Sequence, residues 1–318
     1  MWQYIARRLL QTIPTIIGVS IVITLVFRLA PGDFLTSNMK ITDERKAELR
    51  ELYGLNKPIP QYYLNWVKNI AHGDLGDSMK FKSPVTTVIK TYMWNSFYLA
   101  LVALIFSYLI ALLVGVLSAT KQYSWFDSIV TVLVLAAMSL PSFFIGLLMI
   151  KWFSIDLKWL PVGGMTTTGS NFTGIKHLLD VGKHMILPAT VLTMLSVGSL
   201  TRYFRTSMIE VVRQDYVRTA RAKGLKERVV IFKHALRNAL LPVITLLGLE
   251  LPGLFAGAII LEKIFAWPGI GRINLDAIGV RDYPLLMGFT MFLAILTIIG
   301  NLLADVFYAA ADPRIRLD

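Results

Sequence analysis

Few residues in this chain are placed to do covalent chemistry. No Gly-x-x-x-x-Gly-Lys-Ser/Thr loop occurs, so a nucleotide's phosphates have no backbone cradle here. The four histidines are His72, His177, His184 and His234. They form no His-Glu-x-x-His pair, and His177 and His184 share one loop without a third ligand at metal spacing. Cysteine is absent, which excludes thiol catalysis, disulfides and Cys-held zinc or iron–sulfur. What stands out instead is polar groups inside apolar runs, namely Glu250 and the pair Asn301 and Asp305. A basic stretch, Asp215-Tyr-Val-Arg-Thr-Ala-Arg-Ala-Lys-Gly224, also lies between two such runs.

These groups sit in a chain made for a membrane. Of 318 residues, 55% are hydrophobic and 16% charged, whereas a soluble domain carries about 25% charge. Six apolar runs, roughly 9–28, 95–119, 127–151, 186–204, 240–261 and 284–309, are each long enough to cross about 30 Å of hydrocarbon. The expected fold is therefore all-α and polytopic, with six transmembrane helices and a small structured loop between the first two. Pro188 and Gly198 make the fourth run the weakest. The first run, preceded by Arg7 and Arg8, is longer than a signal-peptide core and lacks a small-x-small cleavage site, so it reads as a retained anchor.

Counting short segments, fifteen Lys and Arg flank one side of the spans and six the other. Basic residues stay inside, which places both termini in the cytoplasm. The net charge of +12 is then explained by topology and anionic lipid. Nucleic acid is not an expected partner, since no recognition helix or finger spacing is present.

The chain divides into three expected parts. These are the N-terminus with the first helix (1–28), an external loop subdomain (29–94), and a five-helix core (95–318) with a cytoplasmic loop at 205–239. In the external part, Thr42 is positioned to cap a helix from Asp43 to Tyr53 that stops at Gly54, with Leu49, Leu52 and Tyr53 as its apolar stripe. It serves either as a lid on the spans or as a docking surface for a substrate-delivering protein. In the cytoplasmic part, residues 201–240 hold ten Lys and Arg against Glu210, Asp215 and Glu227. A short helix ending at Gly224 is expected there. Thr219, Ala220 and Ala222 leave little bulk, and Arg218, Arg221 and Lys223 supply charge for a partner's groove. Composition alone favours a plain loop lying on anionic lipid.

Order adds what composition lacks. Arg218-Thr-Ala-Arg-Ala-Lys-Gly224 followed by His234-Ala-Leu-Arg-Asn-Ala-Leu-Leu-Pro242 resembles the cytoplasmic signature of binding-protein-dependent ABC importer permeases. Arg218 stands at the usual Glu position and Thr219 at the first Ala, while Ala220 and Gly224 fit. That form is similar to the oligopeptide and dipeptide branch, B-type subunit. Arg28–Asp33, Leu55–Tyr62, Gly73–Ser78, Ser139–Gly146, Leu160–Gly164, Phe265–Arg272 and Asp312–Arg316 recur in order along the chain, although Phe34 stands where that branch often has proline.

The resemblance implies a heteromeric importer. A second homologous permease subunit would complete the path, two ATPase subunits would bind ATP and Mg, and an external binding protein would deliver peptide. This chain would bind no cofactor itself and would not be an enzyme. Tyr216, Arg218, Thr219, Ala220, Arg221, Lys223 and Gly224 would form the helix that seats on an ATPase. The same architecture carrying nickel or another small solute is the nearest alternative. A secondary transporter is disfavoured by the short chain and the absence of internal repeats, a membrane enzyme by the missing catalytic cluster. A sensor or scaffold would use the basic loop on lipid.

An ionised Glu250 at mid-span costs about 2.5–3.5 kcal/mol. It either lines the path or a gate, touching a peptide amine, or simply bonds a neighbouring helix. Asn301 and Asp305, one turn apart, are candidates for the path or for structure. Gly253 and Gly257 could let span five approach a neighbour closely, and Pro141 and Pro252 could kink spans three and five.

Overall fold

The computed structural model describes residues 2–37 and 42–311, excluding the side chains of 2–9, 37, 241, 242, 244, 245 and 305–311. The Asp312–Arg316 motif and the Asp305 side chain lie outside the described residues.

The chain starts with a long helix, α1 (Trp2–Leu29), then a short α2 (Phe34–Ser37). Two further helices follow, α3 (Asp43–Leu52) and α4 (Ile59–Ala71). A two-residue hairpin, β1 (Asp77–Ser78) with antiparallel β2 (Ser83–Pro84), leads into α5 (Val85–Thr120). Next come α6 (Trp125–Ser139) and α7 (Ser142–Met149), the latter running on as a π-helical stretch to Asp156. The longest helix is α8 (Gly174–Val212). After it lie α9 (Asp215–Ala222), α10 (Glu227–Val229), a π-helical stretch to Ala235, and α11 (Leu236–Ala239). The chain closes with α12 (Leu241–Ala256), α13 (Ile259–Ile264), α14 (Ile270–Val280) and α15 (Tyr283–Ala311).

The all-α class is as expected; among the described residues fewer than six helices have the length and apolarity of a span. Four helices, α1, α5, α8 and α15, are long and apolar enough to cross a membrane. A fifth crossing exists if α6 and α7 with its π extension count as one span, bent by 100°. Pro141 at that break has no amide hydrogen to continue the helix. The run at 240–261 gives only the 16-residue α12, about 24 Å long at 1.5 Å per residue. It ends because Gly257 adopts φ +78°, a conformation that breaks the helix and that hydropathy does not register.

The fourth run, by contrast, is stronger than expected. Pro188 sits inside the 39-residue α8 without ending it. Gly198 lets Met138 and Val134 of α6 come close.

Helix pairing is set by small residues. Ala103, Ser107, Ala111, Gly115 and Ala119 recur every fourth position on α5 and are all buried. This ladder faces α8, the most extensive pairing in the molecule; a Cβ on Gly115 would lie 2.7 Å from that of Phe204. Without a hydrophobic driving force in lipid, such close backbone approach is what holds helices together. The α12–α15 pair works likewise, with Gly248 against Ala304 and Gly300 against Pro252. Of the expected small-residue face of Gly253 and Gly257, only Gly257 comes close to another helix, α14. Gly257 is outside α12 and meets the Gly271 backbone, and Gly253 approaches only the Glu250 carboxyl.

In the first loop, Thr42 accepts from the Arg45 amide and α3 runs to Leu52 before Gly54, as its residues predict. Its stripe is weaker than expected, since Leu52 is 75% exposed. Sequence motifs far apart in the chain prove to be joints between segments at this end. Arg28 donates to the Leu55 and Lys57 carbonyls and lies over the Tyr62 ring. Ser78 and the Lys80 amide donate to buried Asp282 at the start of α15. The Gly164 amide donates to the Phe265 carbonyl.

Candidate functional site

The basic segment folds as a seated helix. Asp215 in its first turn complements the helix dipole, and Gly224 at φ +75° ends it, its amide donating to the Arg221 carbonyl at 2.9 Å. Only one face is apolar. Buried Val217 and Ala220, one turn apart, press into a cluster with Val116 and Ala119 of α5, Met208 of α8, and Val230, Ile231, Ala235 and Ala239. Ala220, expected on the contact face, therefore packs into this chain's own core. The outward face carries Tyr216, Arg218, Thr219, Arg221, Ala222, Lys223 and Gly224, all exposed.

Two of its cations have acidic neighbours within the segment. Arg218 pairs with Asp215 at 3.4 Å. Arg221 donates to both carboxyl oxygens of Glu227, at 3.1 and 2.7 Å, which holds the Glu227 carboxyl below the usual carboxylate range. Such exposed pairs add little stability. They fix where the guanidinium groups point.

Beneath this helix, three helix ends are clamped together. Asp127, opening α6, receives Nε and Nη2 of Arg205 from α8, both at 2.8 Å. The Ser118 hydroxyl of α5 and the Tyr123 amide donate to the same carboxylate. Breaking a buried pair costs about 3–5 kcal/mol. Since the Arg205 side chain is 28% exposed, Arg205→Met should cost nearer ~2 kcal/mol. A thermal melt of the detergent-solubilised protein checks this, and an unchanged midpoint would show that the clamp is dispensable.

The intramembrane candidates lie on one helix pair. Glu250 is exposed on α12 and, among the described residues, makes no hydrogen bond or ion pair. Asn301 is exposed on α15. Toward the end away from the basic segment, Phe97 stacks on Phe255 at 4.8 Å, beside exposed Trp94 and Tyr98.

One buried acid escapes a sequence reading. Glu262, with no exposed surface, accepts from the Ser96 hydroxyl (2.6 Å) and the amides of Ala258 (3.2 Å) and Arg272 (2.9 Å). The Arg272 amide belongs to the first turn of α14, so the carboxyl caps that helix. Gly257, Gly269 and Gly271 close around it, and a Cβ on Gly269 would fall 2.4 Å from the Glu262 carboxyl carbon. The only sequence hint is an acid just before the glycine-rich Phe265–Arg272 motif.

Known proteins share this organisation. The family described as binding-protein-dependent transport system inner membrane component matches residues 111–317, and the corresponding N-terminal description matches residues 1–92. The oligopeptide transport system permease protein AppB of Bacillus subtilis is 43% identical over 99% of this chain and 100% of its own. The di/tripeptide transport system permease protein DppB of Pseudomonas aeruginosa is 41% identical over 99% of each. The dipeptide permease DppB of Escherichia coli is 39% identical over 99% of each. Among solved structures, the MetNI methionine ABC transporter superposes with a TM-score of 0.53 at 17% identity, covering 71% of this chain and 97% of that one, which supports the fold. On the matched regions and full-length relatives, this chain is a membrane-embedded permease that belongs to the binding-protein-dependent transport system inner membrane component family.

Proposed function

We propose that this chain is one of two permease subunits of an ATP-driven importer of peptides. The observation that carries the reading is the seated α9. Its core-facing Val217 and Ala220 seat it on α5 and α8, while an exposed, basic face is left for another protein. The names of the relatives, oligopeptide and dipeptide permeases, supply the substrate class.

In this reading both termini and the α9 segment are cytoplasmic, in the inner or plasma membrane of a prokaryote. Tyr216, Arg218, Thr219, Arg221, Lys223 and Gly224 meet an ATPase subunit, and two such subunits bind ATP and Mg. The 29–94 subdomain faces outward, where an external binding protein delivers peptide. Residues 95–318 form half of the path with a second, homologous permease, and Glu250, Asn301 and Asp305 line the path or its gate. Closure of the ATPases moves α9 and, through the Asp127–Arg205 clamp, the helices behind it, shifting the population between two openings.

Reconstitution tests this. Liposomes holding this chain, its partner permease and the ATPases should accumulate a labelled peptide only with ATP and the binding protein present. Accumulation by this chain alone, or none with all components, would refute the proposal.

A further inference from the structure

We propose that Arg28, Arg50 and Arg281 form a socket for a carboxylate side chain of the external binding protein. The inference rests on the importer reading above and gives its outward docking surface a specific contact.

A cavity of about 290 Å³ lies where the end of α1, the loop subdomain and the joint between α14 and α15 meet. Two sequence motifs that the path leaves unused, Arg28–Asp33 and Leu55–Tyr62, both line it. So do Arg50, in the last turn of α3, and Arg281, which ends α14. Among the described residues that line it, three arginines stand against a single acid, Asp33. That leaves two positive charges in excess.

The acid is already engaged. One carboxyl oxygen accepts from the Thr36 amide at 2.7 Å and the other from Nε of Arg50 at 3.4 Å. The arginines are held more fully than they are satisfied. Arg28 gives Nη2 to the Leu55 and Lys57 carbonyls and lies 4.7 Å over the Tyr62 ring. Its Nη1 is neither buried nor hydrogen-bonded among the described residues. The two Nη groups of Arg50 likewise make no hydrogen bond there, on a side chain 37% exposed. Arg281 keeps a left-handed backbone at φ +58°, a conformation that glycine usually supplies at a helix end. Its guanidinium lies so close to Gly32 that a Cβ there would overlap it.

Guanidinium groups with open N–H forks select planar anions, carboxylates above all, through paired charged hydrogen bonds. The cavity is at the floor of ligand-sized pockets, roughly 300 Å³, so it admits a side chain and not a peptide. An acidic residue carried by a docking protein matches it in size and in sign, and opposite charge at such a contact also speeds and orients encounter.

The test titrates the binding protein onto the complete reconstituted transporter, reading stimulated ATP hydrolysis in phosphatidylcholine vesicles with and without phosphatidylglycerol. Arg50→Gln should raise the concentration for half-stimulation about tenfold in both lipids, the scale of a lost charged hydrogen bond. Added salt should narrow the gap from wild type. Arg50→Lys keeps the charge and should lose less, and a carbodiimide should link its new amine to an Asp or Glu of the binding protein. Unchanged half-stimulation in Arg50→Gln would overturn the socket, and so would a link to Asp33 alone. A shift seen only with phosphatidylglycerol would also overturn it, giving the arginines to a lipid headgroup. If the binding protein never stimulates the wild-type transporter, the importer reading itself fails.

Discussion

Glu262→Ala is expected to cost about 3–5 kcal/mol, a large share of the stability margin of an ordinary domain. The truncation strands the Ser96 hydroxyl and the Ala258 and Arg272 amides in a site with no exposed surface. Each stranded donor costs about 1–3 kcal/mol. Gly269→Ala should be of similar severity, because its new Cβ would overlap the Glu262 carboxyl. The pair should be strongly sub-additive, since removing the carboxyl makes room for that Cβ. Thermal melting of the two single variants and the double variant reads this directly. Additive losses would mean that the two sites fail independently and that the cradle is not one unit.

Ala222→Trp should weaken association with the ATPase subunits by about thirty-fold or more while leaving the permease folded. Ala222 is exposed on the outward face of α9, so an indole there obstructs a partner and not the core. Obstructing a close-packed interface centre costs 2 kcal/mol or more, about thirty-fold in affinity. Gly224→Trp should act alike with an added fold penalty of about 1 kcal/mol, because its backbone is left-handed although its surroundings are open. Ala220→Trp is the informative contrast. Buried against Val217 and Met208, it should unfold the segment and lose ATPase by a different route. Titrating purified ATPase onto the solubilised permease pair, with a melt on each variant, separates the two. Wild-type affinity in Ala222→Trp would remove α9 from the contact.

Much of this architecture was readable from residue order. The Thr42 cap and the glycine stop at Gly224 are local, so two or three residue types suffice to call them. The long apolar helices follow from hydropathy alone. What local signals could not give was where helices break and which way they face. Span five is apolar over its expected length save for Glu250, yet Gly257 divides it, because its backbone must pass against Gly271 from a segment fourteen residues on. Ala220 reads as a bare contact surface by size, and only its pairing with Val217 one turn earlier shows that it faces inward. Glu262 was invisible for a similar reason. Its three partners come from α5, α14 and the turn before α13, and no spacing in the sequence brings them together.

The length of α8 has a mechanical meaning. Its 39 residues form one unbroken rod, about 58 Å end to end. At one end Met208 packs on the α9 segment and Arg205 holds Asp127 of α6; at the other, Asp180 grips Thr167 through its amide and hydroxyl. A stiff beam fixed to parts on both sides works as a lever. A tilt of about 10° about its middle carries each end some 5 Å in opposite directions, by the rise per residue alone. Displacement imposed on one side would thus reach the other without any residue-to-residue relay, at a size comparable to the width of a peptide backbone.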